Sequence, residues 1–91
     1  MVQRDEVRSG VRAFVLEHFL VGEPPDSLSD STLLLTTGIV SSLAMLELVA
    51  FLEETYSIAL RQDDLTHERL DSIDLIVALV EELSEPRAVR Q

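Results

Sequence analysis

Three segments of this chain carry apolar residues at helical spacing, and no segment shows the apolar–polar alternation of a β-strand. The segments span residues 3–20, 42–56 and 72–84. The chain has 91 residues, which is enough for one domain and too few for two. The sequence therefore predicts an all-α fold with a single domain, 1–91, and an ordered core at about 3–84.

The first predicted helix has a clear apolar stripe but contains a glycine. Gly10 interrupts it, and glycine inside a helix costs about 1 kcal/mol relative to alanine. We therefore expect packing to hold this helix in place. The stripe consists of Val7, Val11, Phe14, Val15 and Phe19.

The connections between the predicted helices differ in length. Residues 22–41 form a long loop, which is uncommon in a small domain unless the loop is functional or anchored. The segment after residue 56 is looser and contains a short helical turn between Asp63 and Leu70, which makes a minor third helix. The expected anchors of the long loop are leucines, namely Leu28, Leu33, Leu34 and Leu35.

The last predicted helix has clear start and stop signals. Asp71 or Ser72 caps its beginning, and Pro86 ends it. Residues 86–91 are expected to form a flexible tail. The apolar face of this helix consists of Ile73, Ile76, Val77, Val80 and Leu83.

The second predicted helix is apolar on two faces. Met45, Val49, Leu52 and Tyr56 form the expected core face. The other face is either an exposed surface that docks a protein partner or a second core face under the long loop, and the residues alone leave both open. This other face consists of Leu43, Leu46, Glu47, Ala50, Glu53 and Glu54.

The net charge of −10 is concentrated in the second half of the chain. Eleven acidic residues and two arginines lie between residues 42 and 86, so this part carries −9. Such a charge repels nucleic acid and anionic membranes and attracts basic protein surfaces. No apolar run is long enough to span a membrane, and the charged N-terminus does not read as a signal peptide, so we expect a cytoplasmic protein.

The composition argues against most enzyme classes. The chain has no cysteine, and its two histidines, His18 and His67, have no zinc-site spacing. The Gly-x-Ser-x-Gly pattern of serine hydrolases is also missing. We therefore expect neither the catalytic site of these enzyme classes nor a metal site.

Two adjacent serines mark the start of the second predicted helix. Ser41 is placed to act as the N-cap, which leaves Ser42 at the first helical position. The positive end of the helix dipole there favours a phosphate group. Most serines at helix starts are only caps, so the pair by itself is weak support for chemistry.

The residues around these serines resemble a known family. Residues 38–58 read GIVSSLAMLELVAFLEETYSI, which resembles the second-helix signature of acyl and peptidyl carrier proteins. In that signature a glycine turn leads to Asp-Ser-Leu and then to an apolar helix with Glu-Leu and Leu-Glu-Glu. The downstream LTHERLDSIDLIVALVEEL is similar to the third and fourth helices of the family. The matching positions are Ser42-Leu43, Glu47-Leu48, Leu52-Glu53-Glu54, Tyr56 and Ile58.

This resemblance implies a fold and a function. The fold would be a small four-helix bundle of the acyl-carrier type, with three main helices and a short third one. Ser42 matches the serine that receives 4′-phosphopantetheine from coenzyme A, whose thiol then carries an acyl or aminoacyl group as a thioester. The implied partners are a phosphopantetheinyl transferase, an adenylating ligase that loads the cargo, and downstream transferases or tailoring enzymes with basic docking patches. The positions implied to contact partners are Leu43, Leu46, Glu47, Ala50, Glu53 and Glu54.

Two details separate the chain from the usual pattern. Ser41 stands where the family usually has Asp, which removes one negative charge beside Ser42 but keeps a good N-cap. Gly38 lies four residues before Ser42 rather than three, a spacing more like carriers of amino acids or short acids in specialised metabolism. We thus expect a free-standing, monomeric carrier of the phosphopantetheine-binding family. The alternative is an unmodified acidic adaptor that binds proteins through its helices.

Overall fold

The computed structural model describes residues 3–84 as a helical bundle. The all-α prediction is confirmed for this range, which contains no strand. The predicted tail, 86–91, and its stop signal Pro86 lie outside the described residues. The α-helices are α1 (Arg4–Phe19), α2 (Met45–Tyr56), α3 (His67–Leu70) and α4 (Ile73–Ser84), with short 3₁₀ helices at Pro25–Ser27 and Gln62–Asp64.

Helix α4 is the centre of the bundle, because it contacts α1, α2 and α3. Its predicted apolar face is buried at four of the five positions, and Leu83 is half-buried. Leu79 is buried as well. The buried face is thus wider than the predicted one, because neighbours cover this helix on several sides. Ser72 caps it by accepting a hydrogen bond from the N–H of Leu75 at 3.2 Å.

Helix α1 contributes three buried valines, Val7, Val11 and Val15, at intervals of one helical turn. Phe14 and Phe19 of the predicted stripe are only half-buried. The difference arises because α1 packs mainly on α4, while Phe14 turns toward α2 and stacks on Phe51.

The buried residues of α2 differ from the predicted core face. Leu48 and Leu52 are the buried residues of this helix, whereas Met45, Val49 and Tyr56 are half-buried. The prediction omitted Leu48, which lies one turn before Leu52. The rest of the bundle fully buries only Leu48 and Leu52, and it covers the predicted stripe on either side of them only in part.

The long loop is anchored, but not by all of the predicted leucines. Leu28, Leu34 and Leu35 are buried, whereas Leu33 is 45% exposed, so its assignment as an anchor is wrong. Val40 is a buried anchor that the prediction did not include. Leu33 precedes the three residues that donate to Asp71, namely Leu34, Leu35 and Thr36, so it lies outside the segment that these bonds hold against the bundle.

The carboxylate of Asp71 ties the loop to the end of α3. It accepts hydrogen bonds from the N–H of Leu35 at 2.7 Å, the N–H of Thr36 at 3.0 Å and the hydroxyl of Thr36. The backbone carbonyl of Asp71 also accepts the N–H of Leu34 at 2.6 Å. Burial alone would raise the pKa of Asp71, but the hydrogen bonds from Thr36 and Leu35 and the nearby His67 outweigh it and lower that pKa.

A second tie joins the loop to α1. The Arg12 guanidinium donates to the carbonyl of Leu28 at 2.7 Å and pairs with Asp30 at 3.3 Å. Arg8 pairs with the other oxygen of Asp30 at 2.9 Å. The carbonyl of Asp30 in turn accepts the N–H of Asp74 in the first turn of α4 at 3.0 Å. Asp30 therefore links the loop to both α1 and α4.

We predict that replacing Asp71 with Asn removes a pH-dependent part of the stability. Three donors now share the two carboxylate oxygens of Asp71, whereas the amide of Asn would offer them a single acceptor oxygen. Asp71→Asn should therefore lower the free energy of unfolding by about 2 kcal/mol at neutral pH. The pKa of Asp71 is lower in the folded state than in the unfolded state. The stability that its charge contributes is therefore fully present above the unfolded-state pKa of about 4, and it is lost as the pH falls through the folded-state pKa.

Urea unfolding of both proteins from pH 7 downward tests this expectation. The difference between them should stay constant to about pH 5 and narrow below about pH 4. Asp63→Asn serves as the control, since Asp63 is exposed, and it should show no such difference. A difference that persists unchanged in acid would contradict a role for the charge of Asp71.

Gly10 has a packing reason to be in α1. The Tyr56 hydroxyl of α2 lies directly over it, so a β-carbon at residue 10 would collide with the Tyr56 oxygen. Burial and the nearby charge of Glu6 raise the pKa of this phenol. The glycine thus allows the two helices to approach each other.

We predict that Gly10→Ala destabilises the protein when Tyr56 is present and stabilises it in a Tyr56→Phe background. Without the hydroxyl, the nearest ring carbon would be 3.7 Å from the new β-carbon, which is an ordinary contact. Alanine should then be favoured by up to about 1 kcal/mol, as in other helix interiors. Thermal unfolding of the four proteins in this cycle measures the coupling. The same effect of Gly10→Ala in both backgrounds would show that the hydroxyl is not responsible.

Candidate attachment and docking site at the start of α2

Two buried residues bracket an accessible segment at the start of α2. Val40 lies before the segment and Leu48 after it, and each is 1% exposed. The N–H of Val40 donates to the carbonyl of Leu34 at 2.9 Å, so the Asp71 tie also positions the chain that leads to Ser41. A turn at Gly38, with φ of 84°, reverses the chain just before it.

Ser41 closes the first turn. Its hydroxyl accepts the N–H of Ala44 at 3.0 Å, and its carbonyl accepts the N–H of Met45 at 2.9 Å. The hydroxyl bond has the three-residue reach of an N-cap.

Regular α-helix begins at Met45, three residues later than the predicted start at 42. The carbonyls of Leu43 and Ala44, which precede Met45, accept the N–H groups of the residues three positions later, Leu46 and Glu47, at 3.1 and 2.9 Å. The α2 helix thus starts with a tightened 3₁₀-like turn.

Ser42 lies in this first turn and is exposed. Within residues 3–84 its hydroxyl makes no hydrogen bond, either to the backbone or to a base. The capping is carried out by Ser41, so the helix start does not depend on the Ser42 oxygen. The free N–H groups of the turn make it a suitable place for an anionic group.

The outer face of α2 is exposed at five of its six positions, so it is not a second core face under the long loop. Leu43 is 78% exposed and Leu46 is 53% exposed. Glu47, Ala50 and Glu54 are exposed too. An accessible apolar strip bordered by carboxylates therefore starts next to Ser42.

Glu53 differs from the other residues grouped with this face. Its side chain is half-buried, and its carboxylate accepts the N–H of Leu60 at 2.8 Å. It thereby holds the loop that follows α2. That loop starts at Ser57, which ends the helix in the left-handed conformation with φ of 55°.

Sequence reasoning missed a groove between α1 and α2. Its floor is a stack of rings in which Phe14 lies 4.3 Å from Phe51 and 4.2 Å from His18, measured between centroids. The spacing of four between Phe14 and His18 is a visible signal of contact, but their pairing with Phe51 depends on how the helices pack. The groove has a volume of about 370 Å³ and is lined by Phe14, His18, Glu47, Ala50, Phe51 and Glu54.

Two other kinds of site are missing from the described part of the chain. No group of three His, Asp or Glu residues within 3–84 is arranged to hold a metal ion. None of the helices in that range has the length and apolar character needed to cross a membrane. The chemistry available at the start of α2 is therefore that of one free hydroxyl, two exposed leucines and nearby carboxylates.

In comparisons with known proteins, the chain matches no protein-family model, and no curated protein matches it.

We predict that Leu46 and Leu48 respond in opposite ways to truncation. Leu46→Ala removes a side chain that is 53% exposed, so the melting temperature should change little. Leu48→Ala removes one that is 1% exposed and should lower the free energy of unfolding by about 2–5 kcal/mol. Thermal and urea unfolding of the two variants provide the comparison. A large loss of stability in Leu46→Ala would mean that the outer face is not a free surface.

Proposed function

We propose that this chain is a free-standing acyl or peptidyl carrier protein that is modified on Ser42 with 4′-phosphopantetheine. The observation that supports the proposal most directly is the Ser42 hydroxyl, which is exposed and unbonded within residues 3–84 at the start of α2. When attached, the arm supplies a thiol that holds an acyl or aminoacyl group as a thioester. The resemblance of residues 38–83 to carrier proteins supports the same assignment.

The residues near Ser42 fit such a group. Ser41 occupies the capping position, so the phosphodiester would meet the open N–H groups of the first turn without displacing the cap. Val40 is buried directly before the two serines and holds the backbone against the core. The chain thus presents an attachment point whose backbone position is defined while its side chain is accessible.

The outer face of α2 is the proposed surface for partner enzymes. Leu43 and Leu46 supply apolar contacts next to the arm, and Glu47, Ala50 and Glu54 continue the surface along the helix. Glu53 belongs to the proposed surface as well, and its bond to Leu60 also keeps the adjoining loop in place. The net charge of −10 attracts transferases, loading ligases and tailoring enzymes whose docking patches are basic.

Ser41 bears on the rate of modification. It provides the cap that the usual Asp would provide, but no negative charge beside the attachment point. We expect a transferase that relies on that charge to act more slowly on this chain. The spacing of Gly38 from Ser42 favours cargo of the amino-acid or short-acid type, in a cytoplasmic pathway of specialised metabolism. A monomeric carrier of this kind is handled by enzymes and catalyses no reaction itself.

An unmodified acidic adaptor is the second candidate. The exposure of Leu43 and Leu46 favours it, because an apolar surface next to carboxylates would bind a protein whether or not Ser42 carries an arm. The two functions differ in their dependence on the Ser42 hydroxyl, which only the carrier requires.

The deciding experiment is modification in solution. The purified chain is incubated with coenzyme A and a broad-specificity phosphopantetheinyl transferase, and its intact mass is measured. We expect the mass of one phosphopantetheinyl group to be added to the unaltered protein and to Ser41→Ala, and none to Ser42→Ala. Ser41→Asp should be modified faster than the unaltered protein. No addition with several transferases, or addition that survives Ser42→Ala, would overturn the proposal.

A further inference from the structure

The directions of α1 and α4 are set by two ion pairs between them. Arg4, in the first turn of α1, pairs with Glu81 in the last turn of α4 at 3.5 Å. One turn later in α1, Arg8 pairs with Asp74 in the first turn of α4 at 3.6 Å. The two helices are therefore antiparallel, and the end of α1 lies toward the start of α4.

Helix α2 also runs antiparallel to α1. The Tyr56 hydroxyl, at the end of α2, lies over Gly10. Phe51, which comes earlier in α2, stacks on Phe14, which comes later in α1. The end of α1 therefore lies toward the starts of both α2 and α4. We call this end of the bundle the Ser42 end, because it holds the first turn of α2.

Every large apolar side chain that is exposed within residues 3–84 lies at the Ser42 end. One follows the end of α1, two flank the start of α2, one lies in the first turn of α4, and one lies in the loop bonded to the start of α4. Single exposed apolar residues are ordinary on a protein surface, but a group of them at one end is typical of a contact surface. In that order, they are Val21, Leu43, Leu46, Leu75 and Leu33.

Leu33 is held close to the two serines although it belongs to a different segment. Its neighbour Leu34 donates its N–H to the carbonyl of Asp71 at 2.6 Å and accepts the N–H of Val40 at 2.9 Å. Leu33 and Ser41 directly adjoin this bonded pair, so their Cα atoms lie within about 15 Å of each other. Exposed apolar side chains thus lie on both sides of the attachment point, one set on α2 and one in the loop.

The chemistry at Ser42 requires an enzyme to cover this region. The Ser42 oxygen attacks the phosphorus next to pantetheine in coenzyme A, the phosphoanhydride bond breaks, and adenosine 3′,5′-bisphosphate leaves. Because the Ser42 hydroxyl bonds to no base within residues 3–84, a base of the transferase takes its proton. Enzymes that act on the cargo meet the far end of the arm instead, so they need not touch the surface around Ser42.

The size of an ordinary interface extends that contact to the loop. A standard protein–protein interface buries about 800 Å² per partner, which corresponds to a disc of about 16 Å in radius. A transferase centred on the attachment point therefore reaches Leu33. We propose that the phosphopantetheinyl transferase binds the whole Ser42 end through an apolar surface, with Leu33 as a contact. This inference rests on the proposed function, and it extends the partner surface from α2 to the loop and to the neighbouring helix ends.

The test measures how fast a broad-specificity phosphopantetheinyl transferase modifies the full chain, using coenzyme A with a fluorophore on its thiol. Leu33→Ser should lower kcat/KM by roughly fivefold, mainly through a higher KM, because it removes an apolar contact of the complex. Its melting temperature should change little, since the Leu33 side chain is 45% exposed. Val21→Ser and Leu75→Ser lie on the neighbouring helix ends and should lower kcat/KM by about twofold.

A matched variant separates the position of the leucine from the total apolar surface. Thr55 is exposed near the end of α2, away from the Ser42 end. Thr55→Leu alone should leave kcat/KM unchanged. Leu33→Ser combined with Thr55→Leu keeps the number of exposed leucines but should react as slowly as Leu33→Ser.

Four results would overturn this proposal alone. Equal kcat/KM for Leu33→Ser and the unaltered protein would show that the transferase does not contact the loop, and recovery of the rate by Thr55→Leu would show that position is irrelevant. Binding to vesicles of neutral phosphatidylcholine that Leu33→Ser abolishes would assign the surface to lipid. Dimers in sedimentation that Leu33→Ser dissociates would assign it to a second copy of the chain. No modification of the unaltered protein would instead overturn the proposed function together with this inference.

Discussion

The bundle depends on the tie between Asp71 and the loop before α2. One carboxylate accepts two backbone N–H groups and a hydroxyl from Leu35 and Thr36, and the carbonyl of the same residue accepts from Leu34. These backbone groups would otherwise lack partners at the edge of the core, where unsatisfied donors are costly. A loop of this length could adopt many paths, and the tie selects the path that buries Leu34 and Leu35.

The accessibility of Ser42 follows from that choice of path. The carbonyl of Leu34 accepts the N–H of Val40, which buries Val40 and brings the chain to Ser41 at a defined point. Ser41 then closes the first turn with both its hydroxyl and its carbonyl. The hydroxyl of Ser42 needs no bond of its own for this turn to form. Ser41, which closes the turn, therefore lies next to Ser42, whose side chain is exposed.

Ion pairs neutralise the acidic residues of some helices more than those of others. Arginines of α1 pair with Asp30, and Arg69 of α3 pairs with Glu82 of α4 at 3.0 Å. Within residues 3–84 the carboxylates of Glu47 and Glu54 on α2 form no such pairs. The field of an acidic protein is therefore least neutralised on the helix that also exposes two leucines and borders the aromatic groove. Unpaired negative charge and exposed apolar side chains therefore coincide on the outer face of α2.

The sequence by itself determined the features that depend on near neighbours along the chain. Helical spacing of apolar residues located the helices within a few residues, Ser41 was the expected cap of α2, and Asp71 or Ser72 was the expected cap of α4. The exposed outer face of α2 was one of two alternatives visible in its sequence. Only the tertiary structure decided that this face is free, because that depends on which helices cover α2. It also decided that Leu48 is core, that Leu33 faces outward, and that Phe14 meets Phe51. Asp71 shows the reason most clearly: its sequence position marks a helix start, but its main partners lie 35 and 36 residues away. Contacts between residues so far apart arise from packing of the whole chain, which no local pattern encodes.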